Sequence, residues 1–199
     1  MSDIFDFAKC AQYAQPLRDA CSTWGVDEAS FPYLLGQLYV ESMGFSRVTE
    51  NLNYRSDTLL RICNGRNGIN TIDDATAVVM RGHDAIAEAL YGLPWGATHL
   101  GNIEPGDGAR FCGHGLIQIT GRYNHHVASQ RVHGDDRYID NPMLLTIATE
   151  AAAAACSFWM EHHLNGVTDV VAITKAINGG TNALAERQNE TDTLLAYNP

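Results

Sequence analysis

The sequence predicts a mainly α-helical fold with one minor β element. Apolar residues recur at helical spacing over most of the chain. Several of these stretches stop on glycine, as at Gly44, Gly92 and "NGG". A strand-like alternation of apolar and polar residues is read in "LIQIT" at Leu116–Thr120.

Taken in order, residues 3–23 read as one amphipathic helix begun by Ser2 or Asp3, with Phe5, Tyr13, Leu17 and Ala20 toward a core. A second helix is expected from Ser30 to Met43, and a short one around 57–63. "TIDDATAVVMRG" opens on Thr71 with an acid three residues later, a capping-box start, and "HDAIAEALYG" ends on Gly92. From Leu93 to Gly115 there are eight glycines or prolines in 23 residues, which predicts a long loop of the kind that carries function. The alternation in "LIQIT" predicts a short strand, Ile117 and Ile119 on one face and Gln118 and Thr120 on the other. Helices are expected again at 121–131, 149–163, 169–177 and 182–196.

A chain of 199 residues suits a single domain, with residues 57–100 expected as a smaller helical lobe. The 45% hydrophobic content suffices for a core, and 18% charged residues argues against disorder. At a formal charge of −10 the chain lacks the lysine and arginine surplus that neutralises phosphates, so neither nucleic acid nor an anionic membrane is an expected partner. No apolar run reaches the roughly 20 residues that span a bilayer, and "MSDIFDFAKCAQY" lacks the pattern of an export signal. Synthesis in the cytoplasm without a signal peptide is the expectation. Five widely spaced cysteines with no CxxC predict buried thiols rather than zinc, although a Cys10–Cys21 disulfide stays open.

The chemistry begins in "LLGQLYVESMGF". At about 100° per residue, Glu41 continues the apolar stripe of Leu34 and Leu38, and Gly44 places it in the last helical turn. A carboxyl facing an oily core and the negative end of a helix dipole is disposed to keep its proton and act as a general acid. The alternative is an ion pair with an arginine at the helix end. In "RVTENLNY", Glu50 sits in a polar setting with Asn51, Asn53 and Tyr54 and is expected to stay ionised. Two carboxyls in unlike surroundings suit glycosidic hydrolysis, one protonating the leaving oxygen while the other activates water or stabilises positive charge. Glu50 as a plain helix-capping carboxylate is the competing reading.

Further polar candidates are Gln118 and Thr120, and Asn124 one helical turn later. Asn178 stands before two glycines, where a C-cap is the structural alternative, and Arg187 is read as the partner of a cleft carboxylate. The pairs His125-His126 and His162-His163 point to different helix faces and suggest no metal site. The alanine run at 151–155 is a close-packing face.

Together, "VESMGF…ENLNY", "GNIEPGDGARFCGHGLIQITGRYN", the NP at 141–142, the FW at 158–159, "INGG" and Arg187 resemble glycoside hydrolase family 19 over about residues 30–190. The likeness is greater to the endolysin-type branch, which cuts peptidoglycan, than to the plant chitinases. The resemblance implies a lysozyme-like, two-lobed helical fold around a central groove and single-displacement hydrolysis with inversion, which needs carboxyls about 6.5–9.5 Å apart. By position it implies Glu41 as general acid and Glu50 as second carboxylate. Gln118, Thr120, Asn124 and Asn178 become cleft residues, and Arg187 supports the acid; Asn53 and Tyr54, beside Glu50, are read from their polar side chains as further substrate contacts. No metal or organic cofactor is implied.

The chain departs from the family pattern at Val40, where histidine is usual, and at Cys112 and His114, where the family has arginines; His114 is kept as a supporting residue. The expected substrate is peptidoglycan or a chitin-like polysaccharide, reached in the periplasm after release or injection. Injection into a rival bacterium would imply a cognate inhibitor (immunity) protein as partner. A chitinase, or an inactive wall-binding or interaction module on the same fold, are the competing functions.

Overall fold

The computed structural model describes residues 4–197, among which lie thirteen α-helices and four short 3-10 segments. The protein is mainly helical, as its periodicity predicts. In chain order the α-helices are α1 (Ile4–Phe7), α2 (Ala14–Trp24), α3 (Phe31–Glu41), α4 (Ser56–Cys63) and α5 (Ile72–Met80). Next come α6 (His83–Tyr91), α7 (Trp95–His99), α8 (Asp107–Arg110), α9 (Arg122–His133) and α10 (Arg137–Asp140). The last three are α11 (Ala148–Glu161), α12 (Val170–Asn178) and α13 (Leu184–Leu195).

Three expectations are corrected. The single helix over 3–23 is broken into α1 and α2, with Lys9 at φ 55° between them; its expected start at Ser2 or Asp3 lies outside the described residues. Pro16 supplies the reason. It has no N–H to give to a preceding turn, so it is tolerated only near a helix start, and α2 begins at Ala14. The expected loop 93–115 contains α7 and α8. The expected strand at Leu116–Thr120 is a tight turn instead. The His114 N–H donates to the Ile119 carbonyl (3.1 Å) and the Ile119 N–H to the His114 carbonyl (2.8 Å). Residues 115–118 form the connection, with Gly115 at φ 80° and Gln118 at φ 52°. Leu116, which alternation would have put with the polar residues, is fully buried.

The described residues fold as two compact units, one of 4–48, 115–118 and 143–197, the other of 49–114 and 119–142. The second contains residues 57–100 and extends past them on both sides.

In the first unit, α2 packs on α11 and α3 on α13. Its core holds Leu17, Leu34, Leu35, Leu38 and Trp159, and the alanine run of α11 (Ala151, Ala152, Ala155) lets α2 approach closely. In the second unit, α4, α5 and α6 share a core of Leu52, Leu59, Val78, Ile86 and Leu90. The capping box at the start of α5 forms as read: the Asp74 N–H donates to Thr71 Oγ1 (3.2 Å) and the Thr71 N–H to Asp74 Oδ2 (2.9 Å). All five cysteines are free and buried, and Cys21 lies beside Cys156 (Sγ to Sγ 3.7 Å).

Candidate active site

In the first unit the chemistry gathers where α3 ends. Glu41 is the last residue of α3, as Gly44 predicts, and the chain leaves through Met43 and Gly44, both at positive φ. The helix stripe places Gln37 one turn before Glu41 on the same face. Arg187, on α13 and only 3% exposed, reaches both. Its Nη2 donates to Glu41 Oε1 (2.6 Å) and its Nη1 to Gln37 Oε1 (2.7 Å). Gln37 is fully buried and uses its amide to donate to Thr174 Oγ1 (3.2 Å). The third guanidinium nitrogen, Nε, donates to the carbonyl of Asn182 (3.1 Å).

The ion pair expected of Arg187 is thus present, and the carboxyl's nearest neighbour is a guanidinium rather than oily core alone. Glu41 keeps 16% of its side chain exposed.

Asn178 ends α12 and joins the same group through the Asn182 carbonyl, to which its Nδ2 donates (3.4 Å). Its Oδ1 accepts the Gly180 N–H (2.9 Å), and Gly179 takes the left-handed conformation at φ 71°. The cap geometry read as an alternative is therefore in place.

In the second unit, Glu50 lies in extended chain paired with the Gly113 segment; its N–H donates to the Gly113 carbonyl (2.8 Å). Both carboxyl oxygens are held. Tyr91, the last residue of α6, donates its hydroxyl to Oε1 (2.6 Å), and the Gly113 N–H donates to Oε2 (3.1 Å). Three weak acids beside Glu50 are held in their neutral forms. Burial, then the Glu50 charge, pushes the Tyr91 and Tyr54 phenols up, and the same two causes push the Cys112 thiol up to about 11. Tyr54 also borders a groove of about 520 Å³ with Arg55, Asp57 and Ile72. Asn53 is exposed, its N–H donating to Asn51 Oδ1 (3.1 Å).

The turn carries the other candidates. Gln118 folds back so that its Nε2 donates to the Gly115 carbonyl (2.9 Å). In the second unit, Asn124 donates its Nδ2–H to the Thr120 carbonyl (2.8 Å) at the start of α9. His114 is no groove cation. It is 3% exposed, with Nδ1 3.2 Å from Nε2 of the fully buried His125, whose Nδ1 faces the Gly121 carbonyl (2.9 Å). A nitrogen beside a carbonyl must carry hydrogen, so His125 accepts at Nε2 and His114 donates. Burial pushes His114 down to about 4 and His125 to about 3, which keeps both rings neutral. Cys112 is likewise core. Both departures from the arginine pattern thus occupy buried positions, where an unpaired guanidinium would be costly.

Sequence reading missed Gln37, Tyr91 and Gly113. Gln37 had a local signal, a polar side chain within an apolar stripe and one turn from an acid. Tyr91 had only its place at the end of α6, and Gly113 acts through a backbone N–H that no side-chain pattern announces. Among the described residues no group of three or more His, Cys, Asp or Glu could hold a metal ion.

No family model matches the chain. A protein of Haemophilus influenzae described as a glycosyl hydrolase family 19 domain-containing protein is 32% identical over 160 residues, covering 77% of this chain and 72% of that protein.

Proposed function

The chain belongs to glycoside hydrolase family 19, and from that premise we propose that it cuts the β-1,4 bonds between amino sugars of bacterial peptidoglycan. A glycoside hydrolase acts on a polysaccharide. What supports peptidoglycan is the greater likeness of the sequence over about residues 30–190 to the endolysin-type branch of the family than to the plant chitinases.

The observation that carries the catalytic reading is the placement of Glu41 at the end of α3, partly exposed and with Oε1 oriented by Arg187. In the proposed reaction Arg187 fixes Oε1, and Oε2 carries the proton delivered to the glycosidic oxygen as the C–O bond breaks. Water attacks the anomeric carbon from the opposite face and gives its proton to Glu50, with inversion. Glu50 is the base or the electrostatic partner of the developing cation. Asn53, Tyr54, Gln118, Thr120, Asn124 and Asn178 are the proposed sugar contacts. The net charge of −10 gives no attraction to an anionic wall, so these hydrogen bonds would supply the affinity.

The test is release of reducing ends from purified sacculi and from soluble chitin oligomers. Wild type is expected to cut sacculi faster, and Glu41→Gln to lose about 10²–10⁴ in rate, the usual weight of a general acid. Faster cutting of chitin would make the enzyme a chitinase. Sacculus binding without new reducing ends in wild type would make it an inactive module, and full activity of Glu41→Gln would remove the acid role.

A further inference from the structure

We propose that Tyr91 is a positioning residue that fixes the Glu50 carboxylate for the reaction; the inference rests on the reading of Glu50 as base or electrostatic partner. A carboxylate that accepts a proton from water, or faces a growing positive charge, works only if its orientation is set before substrate arrives. On a free glutamate three side-chain torsions would have to be frozen during the reaction. Here the phenol and the Gly113 N–H each hold one oxygen, at 2.6 and 3.1 Å.

The phenol is suited to this task in three ways. It stays protonated, because burial and the adjacent negative charge both oppose its ionisation, so toward Glu50 it is always a donor. It adds no charge, which a lysine or arginine at the same place would. It is also anchored from behind. The Tyr91 carbonyl accepts from Nδ2 of the fully buried Asn102 (2.8 Å), whose Oδ1 in turn accepts the Arg122 N–H (2.7 Å). Gly96 runs so close to that carbonyl that a Cβ there would collide with it. The end of α6 is thus clamped, and the hydroxyl is delivered from a fixed backbone rather than from a loop.

The experiment compares Tyr91→Phe, Tyr91→His and Glu50→Gln with wild type on sacculi, with circular dichroism to establish folding. Tyr91→Phe keeps the ring and removes only the oxygen. The expected result is a kcat lower by about 10- to 100-fold, as for other residues that orient a reacting group, with KM within about twofold. The acid limb of the kcat/KM profile should move to higher pH, since the carboxylate has lost a donor. Tyr91→His, which retains a ring N–H, should recover part of the loss, and it carries the comparison if the phenylalanine variant does not fold. In Glu50→Gln, adding Tyr91→Phe should cost nothing further.

Wild-type kcat and an unmoved pH profile in Tyr91→Phe, with Glu50→Gln inactive, would overturn the role of Tyr91 and leave that of Glu50 standing. Equal losses in the phenylalanine and histidine variants with no pH shift would show a packing effect and overturn it too. Full activity of Glu50→Gln would remove the reading beneath the proposal.

Discussion

Arg187 joins more of the candidate site than any other single side chain described. A planar guanidinium presents its donors in a fixed fork, and here three directions are spent on Glu41, Gln37 and the Asn182 carbonyl. Removing it would leave Glu41 Oε1 and the buried Gln37 amide oxygen without their guanidinium donors. The loss from breaking one side of such a buried pair is about 3–5 kcal/mol, far above the 1 kcal/mol or less of a surface pair. Arg187→Ala is therefore expected to lower the melting temperature by about 6–20 °C. It should also cut hydrolysis sharply, because the acid is no longer held. A melting curve alongside a reducing-end assay measures both, and an unchanged melting point would show that the ion pair contributes nothing to stability.

At the scale of elements, the packing of α3 on α13 gives the first unit its half of the chemistry. Arg187 and Thr191 are one turn apart on α13, as Gln37 and Glu41 are on α3. The helices meet at Gly36, where an added Cβ would lie 2.5 Å from Thr191 Oγ1 and 3.1 Å from the Thr191 backbone nitrogen. The closeness is tight enough that Thr191 Oγ1 is buried with no hydrogen-bond partner. Gly36→Ala is thus expected to destabilise by about 1–3 kcal/mol despite its better helix propensity. The separated helices would also weaken the hold on Glu41. Urea unfolding reads the first effect, and a stabilised variant would show that the contact has slack.

For the whole molecule, acid should be more damaging than carboxylate titration alone explains. His114 and His125 titrate near their ordinary 6.5 when unfolded but are pushed to about 4 and 3 when folded. Between those values the unfolded chain binds protons that the folded one does not, so stability is fully present above about pH 6.5 and falls as pH drops toward 4 and then 3. Protonation also breaks the chain of hydrogen bonds, since His125 Nε2 would become a donor facing the His114 donor. Urea midpoints should fall progressively between pH 6.5 and 4. His125→Asn should flatten that slope whatever its effect at pH 7.5, and a slope unchanged in that variant would remove the histidines as its cause.

Local signals in the chain determined the helices and their ends. Apolar spacing fixed α3, α6, α9, α11, α12 and α13 within a few residues, and Thr71 with Asp74 fixed the start of α5, because these depend on neighbours three or four positions away. Local alternation misled at Leu116–Thr120, where two glycine-like backbone conformations turned an apparent strand into a turn. Only the tertiary structure decided that Arg187 also holds Gln37 across 150 positions, that Tyr91 meets Glu50 across 41, and that His114 is buried against His125. Periodicity says which face of a helix is buried. Which distant side chain completes a carboxyl's hydrogen bonds follows from how close two helices can pack, and at α3 and α13 that distance is set by the absent side chain of Gly36.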